Sequence, residues 1–266
     1  MIFLIGLILT LFPKSVFTWD LTLPQFAPTW VNTNLRSEIS QLKSQIKSQP
    51  DSTLNYARLS ELYLIKKQFK QSRRFIDLAN FKGLRSPYYF LCMGRLLDAQ
   101  EKYRQAENYL FKGLLESHQE HPEYFFYFAA HLFKRGLYHR ASHWLQLGIK
   151  LHPTNPQLLI LLGYTFLITQ DFDSAEIVLL DARKKYPPFD SLISFNLAKM
   201  YAIRQSWDSS IYNLRRSTIK GFRHPDKILM EPSFKAFENH PQFQLLLNES
   251  RNNQEKFLNQ NKFRRI

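Results

Sequence analysis

Residues 155–187 read NPQLLILLGYTFLITQDFDSAEIVLLDARKKYP, and this stretch decides the fold. It contains two apolar segments of helical length separated by a short polar turn, with Gly163 inside the first and Ala175 inside the second. Pro156 suits the first turn of a helix, and Pro187 stands where proline ends one. Two helices cross closely where small side chains meet. The stretch therefore predicts a helical hairpin, with about fourteen residues in each helix.

The same pattern recurs five times between residues 52 and 220. The copies align on a small residue of the second helix at spacings of 34 or 35: Ser72, Ala106, Ala141, Ala175 and Ser210. Twelve residues earlier comes a second small residue: Ser60, Gly94, Ala129, Gly163 and Ala198. Three residues before the aligned position comes an aromatic: Phe69, Tyr103, Tyr138, Phe172 and Trp207. A single hairpin cannot bury its own apolar face, so the five copies must stack into a solenoid.

This pattern resembles the tetratricopeptide repeat family in its period, its helix pairs and its residue types. The resemblance implies an all-α fold, a right-handed superhelical solenoid of about five helix-turn-helix repeats with terminal capping helices. Residues 221–247, with Phe222, Phe234 and Phe243, resemble the segment that often closes bacterial arrays of this family. Its aromatic side chains would cover the exposed face of the fifth hairpin.

The organisation predicted for the chain follows from these repeats. Leu35, Ile39, Leu42 and Ile46 form one apolar stripe at helical spacing, which predicts a capping helix before the array. The predicted segments are a signal peptide or membrane anchor over 1–19, a proline-containing extended segment over 20–34, a capping helix over 35–49, five repeats over 52–220, a C-terminal capping segment over 221–250 and a basic tail over 251–266.

The first residues indicate export. Residues 2–12 form an apolar run of eleven residues that Pro13 and Lys14 end, which is too short to span a bilayer but typical of a secretory signal. No Lys or Arg precedes the run and no Ala-x-Ala follows it, so a buried N-terminal element is the alternative. We expect an exported protein, periplasmic or membrane-anchored, with a cytoplasmic location as the other possibility.

Charge and composition narrow the function classes. The net charge is +14, and residues 199–266 carry 13 basic against 6 acidic residues, which is half of that excess. Such an excess favours acidic partners, and the candidates for contact are Arg215, Arg216, Lys220, Arg223, Lys227, Arg264 and Arg265. No run reaches five like charges, so a solvated basic surface is the simpler interpretation, and nucleic acid is not expected as a partner.

Motifs for chemistry are largely missing from the sequence. There is no Gly-rich phosphate loop, no Gly-x-Ser-x-Gly and no His-Glu-x-x-His. His139 and His143 share a helix face, with His131 on the partner helix, but solvent-facing imidazoles are the more common outcome of such spacing. Asp171 is interpreted as a helix-start residue and Cys92 as a buried packing residue. We therefore expect no catalysis, no metal, no cofactor and no small-molecule substrate.

The resemblance places function on the concave side lined by the first helix of each pair. We call the corresponding three rows the inner face: Ala57, Leu91, Phe126, Ile160 and Phe195; Glu61, Arg95, Ala130, Tyr164 and Lys199; Leu64, Asp98, Phe133, Leu167 and Ala202. These rows are mainly apolar, which does not support the Lys- and Asn-based carboxylate clamp of chaperone-binding relatives. An apolar groove needs a ligand or an internal cover. The alternative is that these side chains pack between neighbouring hairpins.

The leading hypothesis is a non-catalytic protein-interaction scaffold of the bacterial envelope that binds a peptide segment or partner helix in this groove. The predicted partner-binding residues are Leu91, Arg95, Phe126, Phe133, Tyr164, Leu167, Phe195 and Lys199. The alternative hypothesis is a basic surface that docks on anionic lipid, cell-wall polymer or nucleic acid. We also expect that the segment 20–34, through Leu23, Phe26 and Trp30, covers the start of the solenoid, with a spacer between export signal and array as the alternative.

Overall fold

A computed structural model of the chain describes residues 35–263, and within them the regular elements are all helices. Their order is α1 Leu35–Ser48, α2 Thr53–Ile65, α3 Phe69–Phe81, α4 Pro87–Ala99, α5 Tyr103–Glu116, α6 Pro122–Lys134, α7 Tyr138–Leu151, α8 Pro156–Ile168, α9 Phe172–Lys185, a 3-10 turn Pro187–Phe189, α10 Asp190–Ile203, α11 Trp207–Ile219, α12 Pro225–Leu229, a 3-10 helix Pro232–Phe237 and α13 Pro241–Phe263. Helices α2 to α11 pair into five consecutive hairpins, which confirms the predicted solenoid.

The repeated residues set the helix boundaries. The aromatic of each copy is the first residue of the second helix, from Phe69 in α3 to Trp207 in α11. Pro87, Pro122 and Pro156 begin three of the first helices, where the missing N–H is not needed. Asp171 precedes α9 and its carboxylate accepts a hydrogen bond from the Ser174 amide, as predicted for a helix-start residue.

The turn inside each hairpin has the same backbone conformation in all five copies. One residue takes a left-handed φ of 56° to 76°: Lys67, Glu101, Gly136, Gln170 and Gln205. The amide of the following residue then bonds back to a carbonyl five residues earlier, as from Gln68 to Tyr63 and from Asp171 to Phe166. Only the third copy uses glycine, so the sequence columns do not reveal this feature.

Small residues let the two helices of each hairpin approach closely. Ser60 of the first helix donates to the Ser72 carbonyl at 2.8 Å, and in the fifth hairpin the bond runs the other way, from Ser210 of the second helix to the Ala198 carbonyl at 2.9 Å. A Cβ added at Gly163 would lie 2.7 Å from Leu179, so this glycine meets a leucine of the second helix as its nearest neighbour. The small residue at this column is therefore required by its large partner across the helix pair.

The apolar core runs along the solenoid. Its largest part joins the third and fourth hairpins around Phe125, Phe128, Leu158 and Tyr164, all under 2% exposed. Helix α1 covers the first hairpin through Ile39, which contacts a cluster with Leu59 and Leu62, and this matches the predicted capping helix. None of the helices in residues 35–263 is long and apolar enough to cross a membrane.

The C-terminal segment packs on the fifth hairpin. Phe222, Phe234 and Phe243 join Phe195 and Leu214 in one buried cluster, as predicted from the aromatic residues of the segment. The last helix, α13, runs from Pro241 to Phe263 and continues past the boundary at residue 250 that was predicted between cap and tail. The predicted signal or anchor over 1–19 and the extended segment over 20–34 lie outside the described residues.

Candidate partner-binding face

The structure places the eight predicted partner-binding residues inside the solenoid. Seven of them are 6% exposed or less: Leu91, Phe126, Phe133, Tyr164, Leu167, Phe195 and Lys199. Arg95 keeps 11% of its side chain exposed. Each first helix from α4 to α10 contacts both helices of the preceding hairpin, so the inner-face side chains fill the space between adjacent hairpins. Their role in binding a partner stays a prediction, and an open apolar groove is not what the inner face presents here.

A polar cluster occupies the inner face between the first two hairpins. Glu61 of α2 accepts hydrogen bonds from the Tyr88 hydroxyl and from the Arg95 guanidinium, both on α4. The guanidinium lies over the ring of Tyr127, 4.2 Å from its centroid. Burial alone would lower the pKa of Arg95, but Tyr127 and Glu61 outweigh it and hold that pKa raised. The guanidinium is therefore charged, and its charge is satisfied within the array.

The middle of the inner face is aromatic. Phe133 and Tyr164 have ring centroids 5.3 Å apart across the third and fourth hairpins, and Phe126 lies edge-on to Tyr127 at 5.2 Å. Ala130, the smallest member of the second row, is 3% exposed. This region holds the hairpins together through apolar contact, which is the alternative that the sequence left open.

At the fifth hairpin the inner face is covered by the C-terminal segment. Lys199 Nζ lies 2.7 Å from a carboxylate oxygen of Glu231, and their side chains are only 5% and 13% exposed. Lys199 also donates to the Tyr164 hydroxyl oxygen at 3.5 Å. Phe195 stacks on Phe222 with centroids 4.4 Å apart. An internal cover therefore exists at this end.

The charge state of Lys199 follows from these neighbours. Burial alone would lower the pKa of Lys199, but Tyr164 and the Glu231 carboxylate outweigh it, so the pKa is raised. The ammonium group stays charged and needs an anion beside it. Glu231 is that anion, and it belongs to the short link between α12 and the 3-10 helix that follows.

Some of the basic residues proposed for an anionic surface are engaged in contacts within the protein, and others are exposed. Arg216 makes a bidentate contact with Asp190, with atoms 2.7 to 3.2 Å apart, and Arg223 lies over the Phe257 ring at 3.8 Å. Arg215 and Lys220 are exposed. Arg264 and Arg265 lie outside the described residues. Docking on an anionic surface stays a prediction, with Arg215 and Lys220 as its exposed members.

The cysteine and histidine residues considered for chemistry are either buried in packing contacts, hydrogen-bonded or exposed to solvent. Cys92 is buried among apolar side chains, and burial raises the pKa of its thiol. His131 bonds through Nδ1 to Asp98 at 2.6 Å, whereas His139 and His143 are exposed. Within residues 35–263 no group of three or more His, Cys, Asp or Glu side chains is placed to hold a metal ion.

Some exposed apolar residues were not predicted from the sequence. They lie on the second helices of the hairpins, at or near the outward positions: Phe81, Phe111, Leu115, Leu151, Ile177, Tyr212 and Ile219. Phe81 is 87% exposed. The sequence signal was available, since Phe81, Leu115 and Ile219 each stand nine residues after the aligned small residue, but that column holds Lys in the other two copies.

No protein-family model matches the sequence, and no curated protein matches it either. Solved structures are similar in fold. A chain of the APC/C hetero-tetramer Cut9-Hcn1 superposes with a TM-score of 0.65 at 14% identity, over 86% of this chain and 46% of that one. PilF of Pseudomonas aeruginosa gives 0.60 at 14% identity, over 80% and 99%.

A third similar structure is that of a protein named for this repeat. TTC0263, a thermophilic TPR protein of Thermus thermophilus, gives a TM-score of 0.58 at 13% identity, over 68% of this chain and 98% of that one. The similarity establishes the fold of this chain as a tetratricopeptide-type solenoid. This agrees with the five hairpins and their repeated columns.

Proposed function

We propose that the chain is a non-catalytic protein-interaction scaffold that binds a peptide segment or a partner helix along its first helices. The observation that carries this proposal is the stack of five hairpins, which aligns five first helices into one continuous face. Solenoids use such faces to bind extended partners. The Cut9-Hcn1 hetero-tetramer is an assembly that contains this fold, which supports a protein as the partner.

Because the inner-face anchors are buried, the test must use positions at its rim. Tyr127 of α6 is half-buried and borders Arg95, whereas Tyr212 of α11 is 60% exposed on a second helix. A photo-crosslinking residue at each position, in cells of the source organism, compares the two sides of the solenoid. We expect a discrete crosslinked protein from position 127 and none from position 212. Equal crosslinking from both, or none from 127, would count against this face.

The bacterial envelope is the compartment that we propose for this scaffold. The support is the apolar run over residues 2–12, which is typical of an export signal. Fusing residues 1–34 to a reporter that is active only after export tests it directly. We expect reporter activity, and its loss when Leu7 and Leu9 are replaced by Arg. A reporter that stays inactive would point to a cytoplasmic scaffold.

A further inference from the structure

The cover over the fifth hairpin has a defined chemistry. It consists of Glu231 and the 3-10 helix Pro232–Phe237, which we call the strap. Glu231 places a carboxylate against Lys199, and three residues later Phe234 places a ring edge-on to Phe195, with centroids 5.9 Å apart. Phe234 is 1% exposed. A short segment thus fills the inner face with one acidic and one aromatic side chain.

The surface beneath the strap is suited to such a ligand by charge. Lys199 supplies a buried cation, the Tyr164 hydroxyl lies 3.5 Å from it, and the ammonium lies 4.9 Å from the Tyr164 ring centroid. A buried ammonium group requires a close anion, because its hydration has been lost. Any segment that displaces Glu231 must therefore bring a carboxylate of its own.

Helix α10 has polar capacity that the strap does not use. Asn196 precedes Lys199 by one helical turn, so the two residues share a side of α10. Asn196 is fully buried, and neither atom of its amide group has a hydrogen-bond partner within the described part of the chain. Buried amides are normally satisfied. The strap therefore does not satisfy every buried polar group of α10.

Helix α13 contacts the strap through the ring of Phe243, which lies 6.1 Å from Phe234 and 5.3 Å from Phe237, but its polar bonds go elsewhere. Helix α13 is held to the fifth hairpin by its own bonds, from Thr218 to Glu249 at 2.9 Å and from Asn253 to the Thr218 carbonyl at 2.8 Å. Ser250 donates to the Phe222 carbonyl at 3.1 Å. None of these bonds involves residues 231–237. Helix α13 therefore keeps polar bonds to the fifth hairpin when the strap leaves α10, and a displacing ring must also replace the contact of Phe234 with Phe243.

We infer that the strap is an intramolecular ligand, and that the face of α10 beneath it is a binding site for a peptide with a glutamate followed three residues later by an aromatic residue. This inference rests on the proposed scaffold function and specifies its partner by chemistry. The partner would insert its carboxylate at Lys199 and its ring at Phe195, and the strap would be displaced. A tethered competitor has a high effective concentration, so the closed strap weakens the partner's apparent affinity.

The test uses the strap sequence itself as the probe. A fluorescein-labelled peptide of residues 231–237, EPSFKAF with both ends blocked, is titrated into the full chain and followed by fluorescence anisotropy. The same titration uses the double variant Glu231→Gln with Phe234→Ala, which weakens the strap and leaves α10 unchanged. We expect the double variant to bind the peptide about 10- to 100-fold tighter than the unchanged chain.

Three controls assign the binding to the named groups. The peptide QPSFKAF should bind the double variant about 10-fold more weakly, because it has no carboxylate for Lys199. The variant Glu238→Gln changes an exposed carboxylate next to the strap and should leave peptide binding as in the unchanged chain. Adding Lys199→Met to the double variant should remove the preference for glutamate over glutamine.

The outcomes separate this inference from the scaffold proposal. Absence of peptide binding by a double variant that still melts cooperatively, or equal binding of both peptides, would overturn the inference. If the double variant does not fold, the single variant Glu231→Gln is tested in its place, by its affinity for EPSFKAF and by its preference for EPSFKAF over QPSFKAF. Crosslinking from position 127 is independent of the strap. A positive crosslink with no peptide binding would therefore leave the scaffold standing and remove this site.

Discussion

The inner face holds a buried ion pair near each end, and the two pairs are held differently. At the first end, Glu61 and Arg95 belong to α2 and α4, two helices of the array. At the last end, Lys199 belongs to α10, but Glu231 comes from the strap, outside the repeats. The first pair is fixed by the solenoid, whereas the second depends on a short segment. If the strap is displaceable, as inferred above, the last end can open while the first cannot.

The largest expected effect comes from breaking the fixed pair. Replacing Glu61 by Ala leaves the Arg95 guanidinium buried without its anion, which costs about 3–5 kcal/mol in the free energy of unfolding. Denaturant titration measures it. The matched control is Asp77→Ala, which breaks an exposed pair with Arg73 and should cost less than about 1 kcal/mol. A similarly small cost for Glu61→Ala would mean that Arg95 reaches water and that the first end also opens.

The second effect is smaller because the strap can lift. Glu231→Ala removes the anion of Lys199, but lifting the strap lets water reach the ammonium, so we expect a loss of about 1–3 kcal/mol. Hydrogen exchange should accelerate at the amides of residues 231–238 and stay unchanged in α2 and α4. Faster exchange throughout the array would show that the strap is as integral as the first pair, which contradicts the comparison.

The sequence predicted the hairpins because their determinants are local and repeated. The prolines that begin α4, α6 and α8 and the aromatics that begin each second helix stand at fixed positions, so five copies reinforce one another. For the inner face the same reasoning left two alternatives, an open groove or packing between hairpins, and could not decide between them. How far Phe126 or Tyr164 is covered depends on the distance between neighbouring hairpins, which the columns do not encode.

The two buried ion pairs also differ in how far the sequence predicts them. Glu61 and Arg95 are 34 residues apart, at the same position of successive copies, so the period placed them on one row and left only their contact unpredicted. Lys199 and Glu231 are 32 residues apart, and Glu231 lies beyond the last repeat. The repeat period predicts positions only within the repeats, so it could not place Glu231. The charge on Lys199 was the available signal, since a cation predicted on an apolar face implies an anion nearby.

Acid should act on the last end in particular. Burial, with Lys227 and Arg223 nearby, lowers the pKa of His224 to about 4, whereas the unfolded chain titrates near 6.5. Between these values only the unfolded chain binds the proton, so the free energy of unfolding falls as the pH drops from 6.5 to 4. The contribution of His224 to stability is fully present above pH 6.5. We expect a loss of about 1–2 kcal/mol, reduced by the partial exposure of His224.

Hydrogen exchange between pH 7 and pH 4.5, corrected for intrinsic rates, measures this loss near residues 222–238. The substitution His224→Asn keeps a polar side chain without the titration and should flatten the dependence on pH. The amides of α2, next to the first pair, serve as the internal reference. An unchanged dependence in His224→Asn would assign the acid sensitivity to other groups.

The smallest expected effect comes from substitutions in the hairpin turns. They test whether the strap opens alone or together with the fifth hairpin. Lys67 and Gln205 occupy the same turn in the first and fifth hairpins, with φ of 56° and 57°. Glycine tolerates this conformation, so Lys67→Gly and Gln205→Gly should each raise stability by about 0.5–1 kcal/mol. The adjacent Lys66 and Arg204 have φ of −75° and −74°, so Lys66→Gly and Arg204→Gly should give no gain.

Equal gains at the two ends are expected because the fifth hairpin is bound to the fourth. Tyr201 donates to Glu176 at 2.5 Å, and Arg183 donates to Asn213 at 2.9 Å, so both helices of the last hairpin contact the array. In a coupled solenoid a local gain is transmitted to the whole transition. Thermal melts of the two variants decide the point. If Lys67→Gly raises the Tm and Gln205→Gly does not, the fifth hairpin opens together with the strap, and the opening part begins at α10.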